Sequence, residues 1–190
     1  MRTGRPPVVR ILVLIAAIVV ATGCGAPAGD SPPASAPPDG LSATGLSATD
    51  LAFMDLVIPQ NESTLAALDL TASRPGSELR PVAARLEARY RAELAQVREL
   101  LAQNGKQESD QHAGHDMPGM ITPAEVAAIG YAEGTAFDQQ LTALLRTQFE
   151  EARTVARAEL SSGTSKPVVE LSARIDSTRA EFLALLEDAS

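Results

Sequence analysis

The chain repeats one amphipathic helical hairpin, and this repetition is the feature that most limits how it can fold. The stretch ARLEARYRAEL at 84–94 matches ARIDSTRAEF at 173–182 after a one-residue gap, and each stretch closes a helical pair. The long helices before them also align, since Asp50 falls opposite Asp138. Neither pair can bury its apolar stripe alone, so the two should pack together. The expected fold is all-α, a four-helix bundle built from two αα-hairpins.

Apolar residues at helical spacing locate the helices of this bundle. They predict long helices over about 50–72 and 78–102, then two more separated by a break at Gly163. TPAE at 122–125 predicts the capped start of a short helix that ends near Gly134. No stretch alternates as a half-buried strand does. We therefore expect the helical domain to cover residues 50–188.

The N-terminus has the pattern of an export signal. Arginines precede the apolar run ILVLIAAIVVA, which is shorter than the roughly 20 residues of a membrane-spanning helix. The run ends at ATGC, which resembles the lipobox of bacterial lipoproteins and implies that Cys24 is acylated (palmitate) and becomes the first mature residue. A cleaved signal with an incidental cysteine is the alternative. The sequence thus predicts a signal peptide at 1–23 and a lipid anchor on the extracytoplasmic face of the cell membrane.

Amino-acid composition indicates the nature of residues 24–49 and excludes one class of binding partner. Residues 24–49 are rich in Pro, Ala, Ser and Gly, so they should form a disordered tether after the lipidated Cys24. The formal net charge is -8, which argues against nucleic acid as a partner because phosphate binding needs clustered basic residues. The single cysteine excludes an internal disulfide.

Both histidines of the chain lie in one segment with two of its four methionines. His112, His115, Met117 and Met120 give the spacing H-x-x-H-x-M-x-x-M within a predicted loop at 103–121. Imidazole and thioether are soft ligands that suit copper, above all Cu(I), and two good ligands are too few for a structural zinc. The sequence predicts a copper site here. The alternative is a plain connection between hairpins, with Met120 packed against a helix.

Three stretches of the chain resemble the domain of unknown function 305 family, which consists of ferritin-like four-helix proteins often found among exported bacterial proteins. They are DLAFMDLVIPQNESTLAAL, GMITPAEVAAIGYAEGTAFDQQLTALL and the two RAE helix ends, so the resemblance covers nearly all of 50–188. It implies a ferritin-like bundle. The paired helical histidines of the family would fall at Gln60–Asn61 and at Gln148–Phe149, or at Thr147–Gln148 in a shifted register. This chain is therefore a degenerate member, and a metal site built from those histidines does not carry over.

Polar residues remain at the positions of the lost histidines. Asn61 and Gln148 fall near the apolar stripes of their helices, so we expect them to hydrogen-bond across the bundle; a relic ligand site is the alternative. Acids stand at matching positions in both halves, but a di-iron site also needs Glu-x-x-His pairs and the helices contain no histidine. We expect these acids to lie on solvated faces. They are Glu62, Glu93, Glu150 and Glu181.

The sequence carries no pattern of a catalytic centre. It shows no Ser–His–Asp set, no Cys–His pair and no phosphate loop, so we expect a protein that is not an enzyme. The leading hypothesis is a membrane-anchored lipoprotein that binds copper for extracytoplasmic buffering or delivery. The alternative is a metal-free helical interaction module that docks an envelope protein.

Overall fold

Five α-helices and one 3₁₀ turn make up the part of the chain that the structure describes. The structure is a computed structural model that describes residues 45–112, 115, 117 and 119–188. The predicted signal peptide, Cys24 and most of the predicted tether lie outside the described residues. The helices are α1 (Ala48–Asp69), α2 (Arg80–Gln103), α3 (Pro123–Gly130), α4 (Gly134–Ser162) and α5 (Lys166–Asp188), with the 3₁₀ turn at Leu70–Ser73. No strand occurs in these ranges, and the all-α prediction is confirmed.

Side-chain caps fix where two of the helices begin. Ser47 caps α1 in a reciprocal arrangement with Asp50, and Thr122 caps α3 in the same way with Glu125, as TPAE predicts. Pro59 lies in the interior of α1, where a proline usually kinks or interrupts a helix. Instead α1 continues through Pro59 as one helix, because the packing of its buried face outweighs the missing backbone donor.

A polar layer divides the core of the bundle into two apolar clusters. Toward one end the clustered side chains include Leu68, Leu86, Leu145 and Phe182. Toward the other end they include Phe53, Val97, Ala156, Leu171 and Ile175. Where the clusters meet, each of the four long helices contributes at least one buried side chain with a polar group. These are Asn61 of α1, Tyr90 and Glu93 of α2, Gln148 of α4 and Arg179 of α5, and together they form the polar centre.

The repeated aspartates join the two hairpins reciprocally. Asp50, near the start of α1, accepts a hydrogen bond from the backbone N–H of Ser165, the residue before α5, at 3.1 Å. Asp138, near the start of α4, accepts hydrogen bonds from the Ser77 hydroxyl and the Glu78 N–H just before α2. A carboxylate of the first hairpin thus binds the residue that precedes α5, and a carboxylate of the second hairpin binds the residues that precede α2. The repeat seen in the sequence therefore has a structural counterpart.

None of the helices in the described ranges has the length and apolar character needed to cross a membrane.

Candidate functional site

The loop between α2 and α3, residues 104–122, is fastened to the bundle at both ends. Near its start, Glu108 accepts a hydrogen bond from Arg98 of α2 at 2.7 Å, and Arg98 also binds Glu62 of α1 at 2.6 Å. Near its end, the N–H of Ile121 donates to the Ser63 hydroxyl of α1 at 3.1 Å. The segment with the histidines and methionines therefore lies between two fixed points.

Gly119 makes the second attachment possible. Its φ is +78°, a left-handed conformation that favours glycine. A Cβ at this position would lie 2.7 Å from Nε2 of Gln60 and 3.0 Å from Cβ of Glu151. The loop backbone thus approaches α1 and α4 more closely than any side chain would allow.

A groove of about 1090 Å³ lies between α1, the loop and α3. Its walls are largely apolar and include Ile58, Pro59, Leu70, Ile121 and Val126. Its remaining lining includes Glu62, Glu108 and Asp110 together with both histidines. The groove therefore combines an apolar floor with a rim that carries metal-ligating groups.

The structure places three of the four predicted copper ligands along this one groove. His112, His115 and Met120 all line it, while Met117 is half-buried and does not. Two turns organise the segment: the N–H of His115 donates to the carbonyl of His112 at 3.2 Å, and the N–H of Met120 donates to the carbonyl of Met117 at 3.0 Å. His112 also lies near α1: burial raises the pKa of the Asp55 carboxyl, and the proximity of His112 partly offsets that effect.

The ligands are not gathered into a finished metal centre. Among the described residues, no three histidine, cysteine, aspartate or glutamate side chains stand in a metal-binding arrangement. Methionine sulfur is a further donor, so His112, His115 and Met120 are the groove residues that could hold a Cu(I) ion.

The polar centre is held by a buried ion pair. Arg179 is fully buried, and its Nη1 and Nη2 donate to the two carboxylate oxygens of Glu93 at 2.9 and 2.6 Å. Asn61 joins them, accepting from Nη2 of Arg179 at 3.2 Å and donating to Glu93 at 3.0 Å. Tyr90 donates to Oε1 of Gln148 at 2.6 Å. Both polar residues at the lost histidine positions thus form hydrogen bonds to another helix of the bundle.

Electrostatics keep the ion pair charged despite its burial. Burial disfavours the charged form of Arg179, but its contacts with Tyr90 and the Glu93 carboxylate outweigh the burial and hold the pKa of the guanidinium above its ordinary value. Burial is also the main cause that raises the pKa of Tyr90, so the phenol stays protonated. Because a fixed cation already sits among these side chains, they do not fit a metal ion.

The expectation of solvated acids is right for three of the four and wrong for Glu93. Glu62, Glu150 and Glu181 are exposed, and Glu62 and Glu181 make surface ion pairs with arginines. Glu93 and Glu181 both end an RAE triplet, but the two helices turn different sides of that triplet toward the core. Glu93 of α2 therefore lies inside the bundle, while Glu181 of α5 lies on its surface. The four carboxylates therefore do not converge, and a di-iron arrangement is not formed by them.

A buried pair of acids, separate from the polar centre, lies where α1, α4 and α5 meet. Asp50 is fully buried, and although burial raises its pKa, hydrogen bonds from Ser47 and Ser165 bring it well below its usual range. Glu159 of α4 is almost fully buried, and no N–H or O–H of the described residues donates to its carboxyl oxygens. Burial and the neighbouring Asp50 raise the pKa of Glu159 to about 7. Below about pH 7, Glu159 is therefore the protonated neighbour of an ionised aspartate.

Sequence reasoning missed Tyr90, Arg179 and Glu159 as members of buried polar clusters. A signal was present: Arg179 stands between Ile175 and Phe182 at spacings of four and three, the spacing of the apolar stripe in α5. Glu159 likewise stands three residues after Ala156 on the inner face of α4. A charged residue at such a position indicates a buried partner, although the sequence does not show which one.

The fold and the polar centre define a bundle of four long helices whose interior contains a guanidinium–carboxylate pair. The chain belongs to the family described as Domain of unknown function (DUF305), whose profile matches residues 49–189. It is similar to a solved DUF305 protein from Streptomyces coelicolor, named as a secreted protein, with 16% identity, a TM-score of 0.67 and coverage of 74% of this chain and 91% of that one. It is also similar to a DUF305 fragment from Deinococcus radiodurans, with 19% identity, a TM-score of 0.68 and coverage of 76% and 97%. A comparison with curated proteins finds no significant match.

Proposed function

We propose that this protein is a non-catalytic lipoprotein that binds copper through its His/Met loop on the extracytoplasmic face of the cell membrane, for metal buffering or delivery. The observation that carries this proposal is the placement of His112, His115 and Met120 along one groove. Their soft donors suit Cu(I), and the carboxylates of Glu108 and Asp110 on the same groove attract cations toward it.

Affinity should be moderate, because the ligands have to be brought together when the ion binds. Ordering the segment costs conformational entropy, which lowers affinity relative to a preformed site. The attachments of Glu108 to Arg98 and of Ile121 to Ser63 shorten the stretch that has to be ordered. Such a site releases its ion readily, which suits buffering or delivery.

Two observations support the proposed location. Arginines and an apolar run precede Cys24 in the pattern of a lipoprotein signal, and the Streptomyces coelicolor relative is named as a secreted protein. Replacing Cys24 by Ser should abolish labelling by radioactive palmitate and move the protein from the membrane fraction to the soluble fraction. Continued labelling of the Cys24→Ser variant would show that the anchor is elsewhere.

Copper titration tests the site directly. The purified chain is titrated with Cu(I) against a colorimetric chelator and with Cu(II) by calorimetry. A variant with His112, His115, Met117 and Met120 all changed to Ala should bind Cu(I) at least about tenfold more weakly, a loss of about 1.4 kcal/mol.

A matched variant controls for the effect of loop composition. Gln107 and Gln111, which are exposed in the same loop, are changed to Ala and should leave copper affinity unchanged. Equal Cu(I) binding by the wild type and the four-alanine variant would refute the loop as the copper site. Iron retained through purification would point instead to a redox role for the bundle.

The groove also supports the alternative function, a metal-free interaction module. Its apolar walls and the acidic side chains of Glu62, Glu108 and Asp110 complement an apolar, basic segment of an envelope protein. Absence of copper binding by the wild type, together with a crosslink from a photoreactive residue at Ala66 to an envelope protein, would favour this function over copper binding.

A further inference from the structure

We infer that the polar centre is a binding site for a planar organic cation, which the chain fills with the guanidinium of its own Arg179. The inference concerns the interior of the bundle and is independent of the copper site in the loop. It follows from how the surrounding side chains match the two terminal nitrogens and the flat face of that one group.

The anionic side of the site is bidentate. Glu93 places one carboxylate oxygen 2.9 Å from Nη1 and the other 2.6 Å from Nη2 of Arg179, and the carbonyl oxygen of Asn61 lies 3.2 Å from Nη2. Two parallel bonds of this kind require the fork geometry of a guanidinium, which a spherical ion or an ammonium lacks.

An aromatic face closes the site on another side. The central carbon of the Arg179 guanidinium lies 3.9 Å from the centroid of the Tyr90 ring. Tyr90 is itself fixed, because its hydroxyl donates to Gln148 of α4 at 2.6 Å. A ring at this distance attracts a flat cation that can lie parallel to it.

The charges of the site balance only while a cation is present. Arg179 is fully buried, and the side chain of Glu93 is 10% exposed. Removing the Arg179 side chain beyond Cβ leaves a buried carboxylate without its partner, which is strongly destabilising. It also leaves a space of guanidinium shape bounded by Glu93, Asn61 and Tyr90. A free guanidinium ion has the charge, the donors and the flat shape to refill it.

The test uses the Arg179→Ala variant of the full chain, purified in detergent, with methylguanidinium chloride as the probe. Thermal unfolding and refolding are followed by far-UV circular dichroism. We expect a melting temperature well below that of the wild type. Millimolar methylguanidinium should raise it by several degrees and saturate, at concentrations well below those at which guanidinium salts denature proteins.

Matched probes and variants isolate each part of the inference. Urea has a similar planar shape without the charge, and potassium chloride has a cation without the shape, so neither should raise the melting temperature. The Glu93→Gln/Arg179→Ala variant should not respond to methylguanidinium. Arg91→Ala removes the arginine at the equivalent position of the other RAE stretch, which is exposed, and should be insensitive to every probe.

Two outcomes would overturn the inference. One is an equal response of Arg179→Ala to potassium chloride and to methylguanidinium, since that would show a general effect of salt. The second outcome applies if Arg179→Ala does not fold by itself. If this variant then fails to refold at every methylguanidinium concentration, while Glu93→Gln/Arg179→Met folds, the site does not bind the free cation. None of these measurements contains copper, so their failure leaves the proposed function untouched, and failure of copper binding leaves this inference untouched.

Discussion

Raising the pH through neutrality should weaken the end of the bundle where Asp50 and Glu159 meet. Burial and the facing Asp50 carboxylate favour the protonated form of Glu159 and raise its pKa from 4.5 to about 7. A raised pKa means that this contribution to stability is fully present below about pH 4.5. It is lost progressively as the pH rises through about 7, where the folded protein must hold two facing carboxylates or open.

The size of the effect follows from the two pKa values. Between 4.5 and about 7, each pH unit corresponds to about 1.4 kcal/mol, so the full loss is about 3 kcal/mol. That is a large share of the roughly 5–15 kcal/mol by which domains of this kind are stable. Asp50 does not cancel it, because the pKa of Asp50 is depressed and its carboxylate stays ionised throughout this window.

The comparison that isolates this effect is wild type against Glu159→Gln. Glutamine has nearly the same shape as glutamate and is neutral at every pH, so the unfolding free energy of the variant should lack this slope. Urea unfolding followed by circular dichroism at about pH 5 and about pH 8 should show the wild type losing about 2–3 kcal/mol more than Glu159→Gln. Glu150→Gln, an exposed change on the same helix, should behave as the wild type. Parallel pH profiles for wild type and Glu159→Gln would refute the reasoning.

Three further changes probe other contacts. Gly163→Ala should lower the unfolding free energy by about 1–3 kcal/mol, because a Cβ there collides with the Glu159 carboxyl and lies 2.8 Å from the Glu159 backbone oxygen. Gly76→Ala, where a Cβ meets open space, is the control, and equal melting temperatures of the two variants would contradict the clash. Gly119→Ala should release the loop from the bundle, since its φ of +78° costs an L residue about 1 kcal/mol before any clash; limited proteolysis within the loop checks this, and an unchanged cleavage rate counts against it. Asp138→Asn should cost about 1 kcal/mol by weakening the entry to α2, and a melting temperature equal to that of the wild type would exclude that role.

The repeat in the sequence predicted the helical architecture because helix formation depends on residues that are close together in the chain. Apolar residues at spacings of three and four form a stripe along one face of a helix, whatever the helix packs against. Four long apolar stripes therefore predict four helices that pack together. The caps of α1 and α3 are equally local, since Ser47 and Thr122 satisfy backbone donors of their own helices. These features need no knowledge of which helix lies beside which.

The polar centre could not be read from the same repeat. Both halves contain the triplet RAE, at 91–93 and at 179–181. In α2 the glutamate of the triplet is buried and Arg91 is exposed, while in α5 Arg179 is buried and Glu181 is exposed. The buried acid of α2 and the buried base of α5 form an ion pair. If both helices turned the same residue of the triplet inward, two like charges would be buried side by side.

The sequence alone determined the all-α fold, the two hairpins and the concentration of soft metal ligands in one loop, because each depends on residues close together in the chain. Only the tertiary structure decided that Arg179 meets Glu93, that Glu159 faces Asp50, and that His112, His115 and Met120 share a groove. These pairings join residues from different helices, and their relative rotation is fixed by the packing of the whole core. Composition and periodicity therefore specify the helices, and the charges inside acquire their partners when the helices pack.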